Sequence, residues 1–324
     1  MKVSPQQIDK LMRVIDASLL KSFNFSRFMA RFLPPAVLVS MADGIGYALY
    51  YLRRGRRCYL LEVMSGALPD IKDEKQLKRL ARKASGAAIR AMLDLVLLER
   101  HSDRIMERLI LDQHWIDRYD EYRAAGGGLI IFTPHLGGIA INPCLAALLN
   151  RAYTPVIMDP QATPIPRYLT SLMEVGNKVG SDPDNPAFWA GQNSIGKVRE
   201  HLARGGCAAL TFDVGGSTVL DFFGRPAAMA SGVAHFACDS NAPIASGFFK
   251  RGKGPLDYEL IGCQDMSYAL TGDRDKDVKA ILAQVIEFGE QMIRMAPEQW
   301  VCWLNLRNWR KRAQQILEEK GQSS

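Results

Sequence analysis

Gly126-Gly-Gly-Leu129-Ile-Ile-Phe132-Thr-Pro-His135-Leu-Gly137-Gly138-Ile-Ala140 sets a short apolar run between glycines and then delivers one histidine into a glycine-rich turn. Leu129 to Phe132 is brief, continuously apolar and bounded by Gly and Pro, the pattern of a strand buried on both faces. His135 follows just past the carboxyl end of that strand, the edge at which open α/β sheets bind their ligands. Glycines at 137 and 138 let backbone amides approach a reacting carbonyl with no Cβ in the way. His135 is therefore a candidate catalytic base, with Gly137 and Gly138 as candidate substrate-binding residues. A histidine that only caps the turn is the other reading these residues allow.

Downstream of this turn the pattern alternates. Strands are expected over residues 154–158, 207–212, 244–249 and 258–261, and helices over 141–149, 166–175, 194–203, 231–240 and 278–295. Such alternation predicts an α/β fold, with a mixed, largely parallel sheet flanked by helices. Upstream, Ile71, Leu77, Leu80, Ala84, Ala88, Met92, Leu95 and Val96 recur at helical spacing, so 71–123 is expected to be helical throughout. The chain then divides into an N-terminal helical, membrane-associating region (1–123), an α/β domain (124–310) and a basic C-terminal tail (311–324). The polar, turn-rich stretch 180–192 reads as a surface connector or a cover over a site.

The 324 residues are 48% hydrophobic and 23% charged, which is ordinary for a globular protein and excludes a disordered one. Six cysteines stand apart with no CxxC pair and no metal-ligand spacing. That pattern argues against zinc and disulfide scaffolds and fits reduced thiols in the cytoplasm. The net charge of +7 suits nucleic acid, anionic lipid or an acidic carrier protein, and charge alone does not choose among them. The basic series Lys72, Lys75, Lys78, Arg79, Arg82 and Lys83 alternates with aliphatics rather than aromatics, so nucleic acid is not the expected partner. That series reads first as the solvated face of a helix and second as an anionic contact.

Between Phe28 and Leu52 the chain is mostly apolar, but Arg31, Pro34, Pro35 and Asp43 interrupt it before Arg53-Arg54-Gly55-Arg56-Arg57. The longest charge-free piece is too short to cross a bilayer. The first 25 residues lack the separate apolar core of a signal peptide. An apolar helix face ending in four arginines can instead lie on an anionic leaflet, and a core helix with a solvated basic end is the alternative.

A second constellation begins with Asp213 at a strand end. Gly215-Gly216 follow, then Phe222-Phe-Gly224-Arg225-Pro226, then Ser231-Gly232 opening a helix. Asp213 and Gly215 have the makings of a polar pocket, or of a tight turn. Arg225 is suited to a phosphate or carboxylate of a substrate, or to a structural ion pair.

Taken in order, these blocks resemble the lysophospholipid acyltransferase superfamily, and within it the late acyltransferases of lipid A biosynthesis. The resemblance rests on Phe132-Thr-Pro-His135-Leu-Gly137, on Ala209 to Gly216, and on Phe222 to Ala227 with Ser231-Gly232 and Ala242-Pro243-Ile244. Pro297-Glu-Gln-Trp300 with Trp303 completes it. It implies an acyltransferase that moves a fatty acyl group from an acyl carrier protein or coenzyme A thioester to a hydroxyl. No metal or cofactor is implied, only the thioester as co-substrate. The implied location is cytoplasmic, peripheral on the inner membrane.

The family motif places Asp or Glu after four residues that follow the histidine, and here that position is Ala140. Either another acid orients the imidazole, or the acceptor is an amine or carrier-bound intermediate that needs less activation, or transfer has been lost and a non-catalytic acyl- or carrier-binding protein remains. Asp213 is the preferred substitute acid and Asp159 the second. Met158, Phe188 and Phe222 are the apolar residues at hand for an acyl chain.

Overall fold

The computed structural model describes residues 5–181, 186–191, 193–262 and 266–321. Asp182 to Asn185 and Gln192, which belong to the stretch read as a surface connector or a cover, lie outside the described residues. Six helices come first: α1 (Pro5–Met29), α2 (Pro35–Leu52), α3 (Arg54–Ala67), α4 (Glu74–Ala84), α5 (Ala87–Met106) and α6 (Gln113–Ala124). Then follow β1 (Leu129–Thr133), α7 (Asn142–Leu148), β2 (Thr154–Met158), α8 (Pro166–Val179), β3 (Phe188–Ala190), α9 (Ser194–Ala203) and β4 (Cys207–Thr211). A hairpin of β5 (Gly215–Phe222) and β6 (Arg225–Met229) precedes α10 (Gly232–Ser240), β7 (Ile244–Arg251) and β8 (Tyr258–Gly262). The chain closes with α11 (Arg274–Met295), a 3-10 turn (Pro297–Gln299) and α12 (Leu306–Gly321).

Six strands form one sheet in the order β3-β2-β4-β1-β7-β8. All pairings are parallel except β7 with β8, so the expected α/β class holds. β1 lies in the middle, and all five of its residues are buried. Covered on both faces, it needs a continuous apolar run rather than alternation. The hairpin forms a separate two-stranded sheet.

The expected continuous helix over 71–123 is three helices. Asp73 and Asp112 restart it, capping α4 and α6 by accepting from Lys75 N at 2.8 Å and Trp115 N at 3.2 Å. Between α5 and α6, Ile110 pairs with β8, donating to Tyr258 O at 3.0 Å and accepting from Leu260 N at 2.8 Å. These bonds satisfy a backbone segment that a helix would otherwise have to carry.

The N-terminal helices share their core with the sheet: Leu60, Val63, Met64 and Leu77 belong to the same buried cluster as Phe132, Phe222 and Trp300. α1 is tied to α8 by buried Asp16, which accepts from Arg167 Nε at 2.8 Å and Tyr168 N at 2.9 Å. α12, which includes most of the basic C-terminal tail, packs on the hairpin through Ala313 and Ile316. Among the described residues no helix is long and apolar enough to cross a membrane.

Candidate active site

β1 and β4 run parallel and adjacent with Thr133 opposite Thr211. Two residues beyond that pair stand His135 on one strand end and Asp213 on the other. The register therefore carries two side chains 78 positions apart into contact: His135 Nδ1 lies 2.8 Å from Asp213 Oδ1. The His135 amide also donates to Asp213 Oδ2 at 2.7 Å, and Trp300 Nε1 donates to the same oxygen at 2.6 Å.

Asp213 is completely buried. An unpaired carboxylate there would be untenable, and three N–H donors supply what water cannot. A proton on Nδ1 is the tautomer that this geometry selects, because an ionised carboxylate can only accept. Nε2 is then the basic nitrogen, and it meets no hydrogen-bond partner among the described residues. The His135 side chain keeps 31% of its surface exposed, so Nε2 has access to an incoming group. Burial disfavours the imidazolium, but the charge and hydrogen bond of Asp213 outweigh it and raise the His135 pKa above the usual value.

Trp300 belongs to an aromatic wall. Its ring lies 4.7 Å from Trp303 at 80° and 5.9 Å from Phe222 at 75°, and Phe223 stacks on Trp303 at 5.9 Å. The hairpin turn that presents Phe223 has positive φ at both Phe223 (52°) and Gly224 (68°). A bulky residue rarely adopts that conformation. Here its amide is held by Glu290 Oε1 at 2.6 Å and its ring by Trp303. Trp300, Trp303 and Trp309 are all core residues rather than an exposed belt.

The glycine turn is fixed from below. Gly137 has φ +58°, and a Cβ there would stand 2.2 Å from Phe249 O, so both conformation and space demand glycine. The Gly137 carbonyl accepts from Arg251 Nη1 at 2.6 Å. That nitrogen also donates to Asp94 Oδ2 at 2.8 Å, while Tyr258 donates to Asp94 Oδ1 at 2.8 Å. Gln299 brackets the Arg251 backbone, accepting from its amide at 2.9 Å and donating to its carbonyl at 3.1 Å. The reading of the sequence missed this network. The available signal was Asp94, one acid within the apolar run Met92-Leu-Asp-Leu-Val-Leu-Leu98, where a charge must find a buried partner.

Other expected site residues are not gathered at the imidazole. The Gly138 amide donates to Phe249 O at 2.7 Å and is not available to an oxyanion, whereas the Gly137 amide has no partner among the described residues. Ala140 lies in the turn before α7 and contributes no polar atom. Asp159 caps a 3-10 turn by accepting from Gln161 N at 2.9 Å at the end of β2, a strand that β4 separates from β1. Gly215 opens β5 beside Trp309 Nε1. Arg225 is exposed at the start of β6, and no hydrogen bond or ion pair joins it to His135 among the described residues. Phe188 packs against the His201 ring and Phe222 is wholly buried, while Met158 is exposed, so the three do not form one groove.

His135, Asp213 and the buried Cys302 lie with potential ligand atoms within 4.8 Å of one another. Nδ1 and both carboxylate oxygens are engaged in hydrogen bonds, and burial together with the Asp213 charge pushes the Cys302 thiol pKa up, holding it protonated. The trio is thus joined by hydrogen bonds around a buried carboxylate.

Residues 187–311, less than half of the chain, match the family model of bacterial lipid A biosynthesis acyltransferases. The match supports an acyltransferase activity. It takes in Asp213, the hairpin and Trp300 but not His135. No curated protein is similar enough to the chain to count as a match.

Proposed function

We propose that the protein transfers an acyl group from a carrier-protein or coenzyme A thioester to a polar acceptor, with His135 as general base and Asp213 as the residue that positions it. The observation that carries this reading is the His135–Asp213 contact at 2.8 Å, with Nε2 left to face the acceptor. The acceptor hydroxyl or amine attacks the thioester carbonyl as Nε2 takes its proton. Buried Asp213 stabilises the imidazolium that results. The tetrahedral intermediate then collapses, the C–S bond breaks, and the departing thiolate takes the proton back from Nε2. The Gly137 amide is the proposed donor to the intermediate's oxyanion. Asp213 thus takes on the orienting task that Ala140 cannot perform, so an alcohol acceptor remains open to this enzyme as well as an amine. The thioester is the co-substrate, and the steps above use neither a metal nor a cofactor.

The N-terminal helices supply the second part of the reading. Val37, Met41 and Ile45 recur every four residues on α2 and are exposed, as are Phe28 and Phe32 just before it and Leu52 at its end. This stripe, followed by exposed Arg53 and Arg54, suits an anionic membrane surface, with the protein peripheral on the cytoplasmic face of the inner membrane.

The test is acceptor-dependent thiol release from a panel of acyl thioesters, with wild type compared with His135→Ala. Release that disappears in the variant supports the enzyme. Intact thioester or carrier binding with no release in either protein would make the chain an acyl- or carrier-binding protein instead.

A further inference from the structure

A groove of about 460 Å³ lies between α2, α3 and α4, apart from the His135 network, and its lining is strongly cationic. Arg57, Lys75, Lys78, Arg79 and Arg82 surround it together with Tyr50, Tyr51 and Leu61. Lys78 is paired with Glu74 at 2.6 Å. Arg57, Lys75, Arg79 and Arg82 reach no carboxylate among the described residues. Arg82 is held in place by stacking, with Cζ 4.7 Å from the Tyr47 ring centroid, yet its Nε is buried and has no hydrogen-bond partner. Arg57 likewise stands 5.8 Å over the Tyr50 ring.

Four uncompensated cations around one recess repel one another, and a buried donor without an acceptor costs stability. A multiply charged anion in the recess offsets the repulsion. A single solvated helix face does not account for cations of two helices, α3 and α4, converging on one recess. Guanidinium forks match the oxygen geometry of phosphate, and Lys75 adds a point charge, so the lining fits an anion with several oxygens better than a single carboxylate. Tyr50 and Tyr51 meet edge to face at 87°, which leaves no parallel pair of rings between which a base would stack. We infer that this groove is a phosphoryl-binding site that takes one or more phosphate groups of a ligand. Tyr51 in the lining is exposed and is followed by Leu52, an exposed member of the apolar stripe of α2, so a lipid headgroup is one source of the phosphate and a soluble phosphate compound is the other.

The inference is independent of the acyl-transfer reading because it is tested by binding alone. Inorganic pyrophosphate is titrated calorimetrically into the full-length protein at low salt. Lys75→Gln with Arg79→Gln is the groove variant, since both side chains are exposed and neither supports the fold. Lys253→Gln with Lys311→Gln is a control of equal charge change elsewhere on the surface. Saturable binding to wild type is expected, weakened at least about tenfold in the groove variant and less than about twofold in the control. Absence of saturable binding, or equal weakening in both variants, would overturn the site. Sedimentation with phosphatidylglycerol vesicles then identifies the source. A larger loss in the groove variant than in the control assigns a lipid phosphate, and equal losses assign a soluble one.

Discussion

His135 and Asp213 occupy matching positions two residues beyond the Thr133–Thr211 pair of adjacent parallel strands, and their side chains meet at 2.8 Å. An acid delivered by a neighbouring strand end therefore reaches the imidazole Nδ1. Because Asp213 is also bound by the His135 amide and Trp300 Nε1, ring and carboxylate are held at several points, and the fold itself sets the tautomer.

Removing the negative charge while keeping the shape isolates that role. Asp213→Asn is expected to lower kcat by roughly 10²–10⁴-fold, the range in which a mis-set histidine tautomer operates. Because Asp213 raises the His135 pKa, the acidic limb of the wild-type kcat/KM profile is expected above the ordinary value of about 6.5 and should fall in the variant. A pH–rate series on both proteins measures the shift.

The same raised pKa has a consequence for stability. Stabilisation by the protonated pair is fully present below about pH 6.5 and is lost as pH rises through the higher folded-state value. Wild type should therefore exceed His135→Gln in Tm by more at mildly acidic pH than at alkaline pH, which paired thermal melts across that window would reveal.

Trp300→Phe removes one of the three donors to Asp213 while leaving an aromatic ring in the wall. With less of its charge engaged elsewhere, the carboxylate should act more strongly on the imidazole. The acidic limb is then expected to move further up, in the direction opposite to Asp213→Asn. A purely packing role for Trp300 would lower Tm without moving the limb.

The support beneath the turn is tested by Asp94→Leu, which leaves the Arg251 guanidinium buried without its acid. Loss of one partner from such a pair costs about 3–5 kcal/mol, and Asp94→Leu with Arg251→Met should recover part of it in urea unfolding. Activity should remain low in the double variant, because the Gly137 carbonyl still lacks its donor.

Much of the sheet was legible because parallel strands covered on both faces are continuous apolar runs, as at residues 129–132 and 207–210. The β5–β6 hairpin was not. Gly215-Gly216 read as a turn, while the actual turn uses Phe223 at positive φ where Asn would announce it. β3 is three residues long and sits in a stretch read as a connector. His135 could be recognised from its local setting. The partnership with Asp213 depends on the register of two strands far apart in the chain, which no local pattern encodes, and the Asp94–Arg251 pair depends on how a helix meets a sheet edge.

A double-mutant cycle on acyl transfer, with His135→Ala, Asp213→Asn and the two together, tests the pair most directly. If Asp213 acts through His135, the double variant should be no slower than His135→Ala alone, within about twofold, because an orienting acid has nothing left to orient. Multiplying losses, with Asp213→Asn slowing the His135→Ala enzyme as much as it slows wild type, would contradict the account and give Asp213 a role of its own.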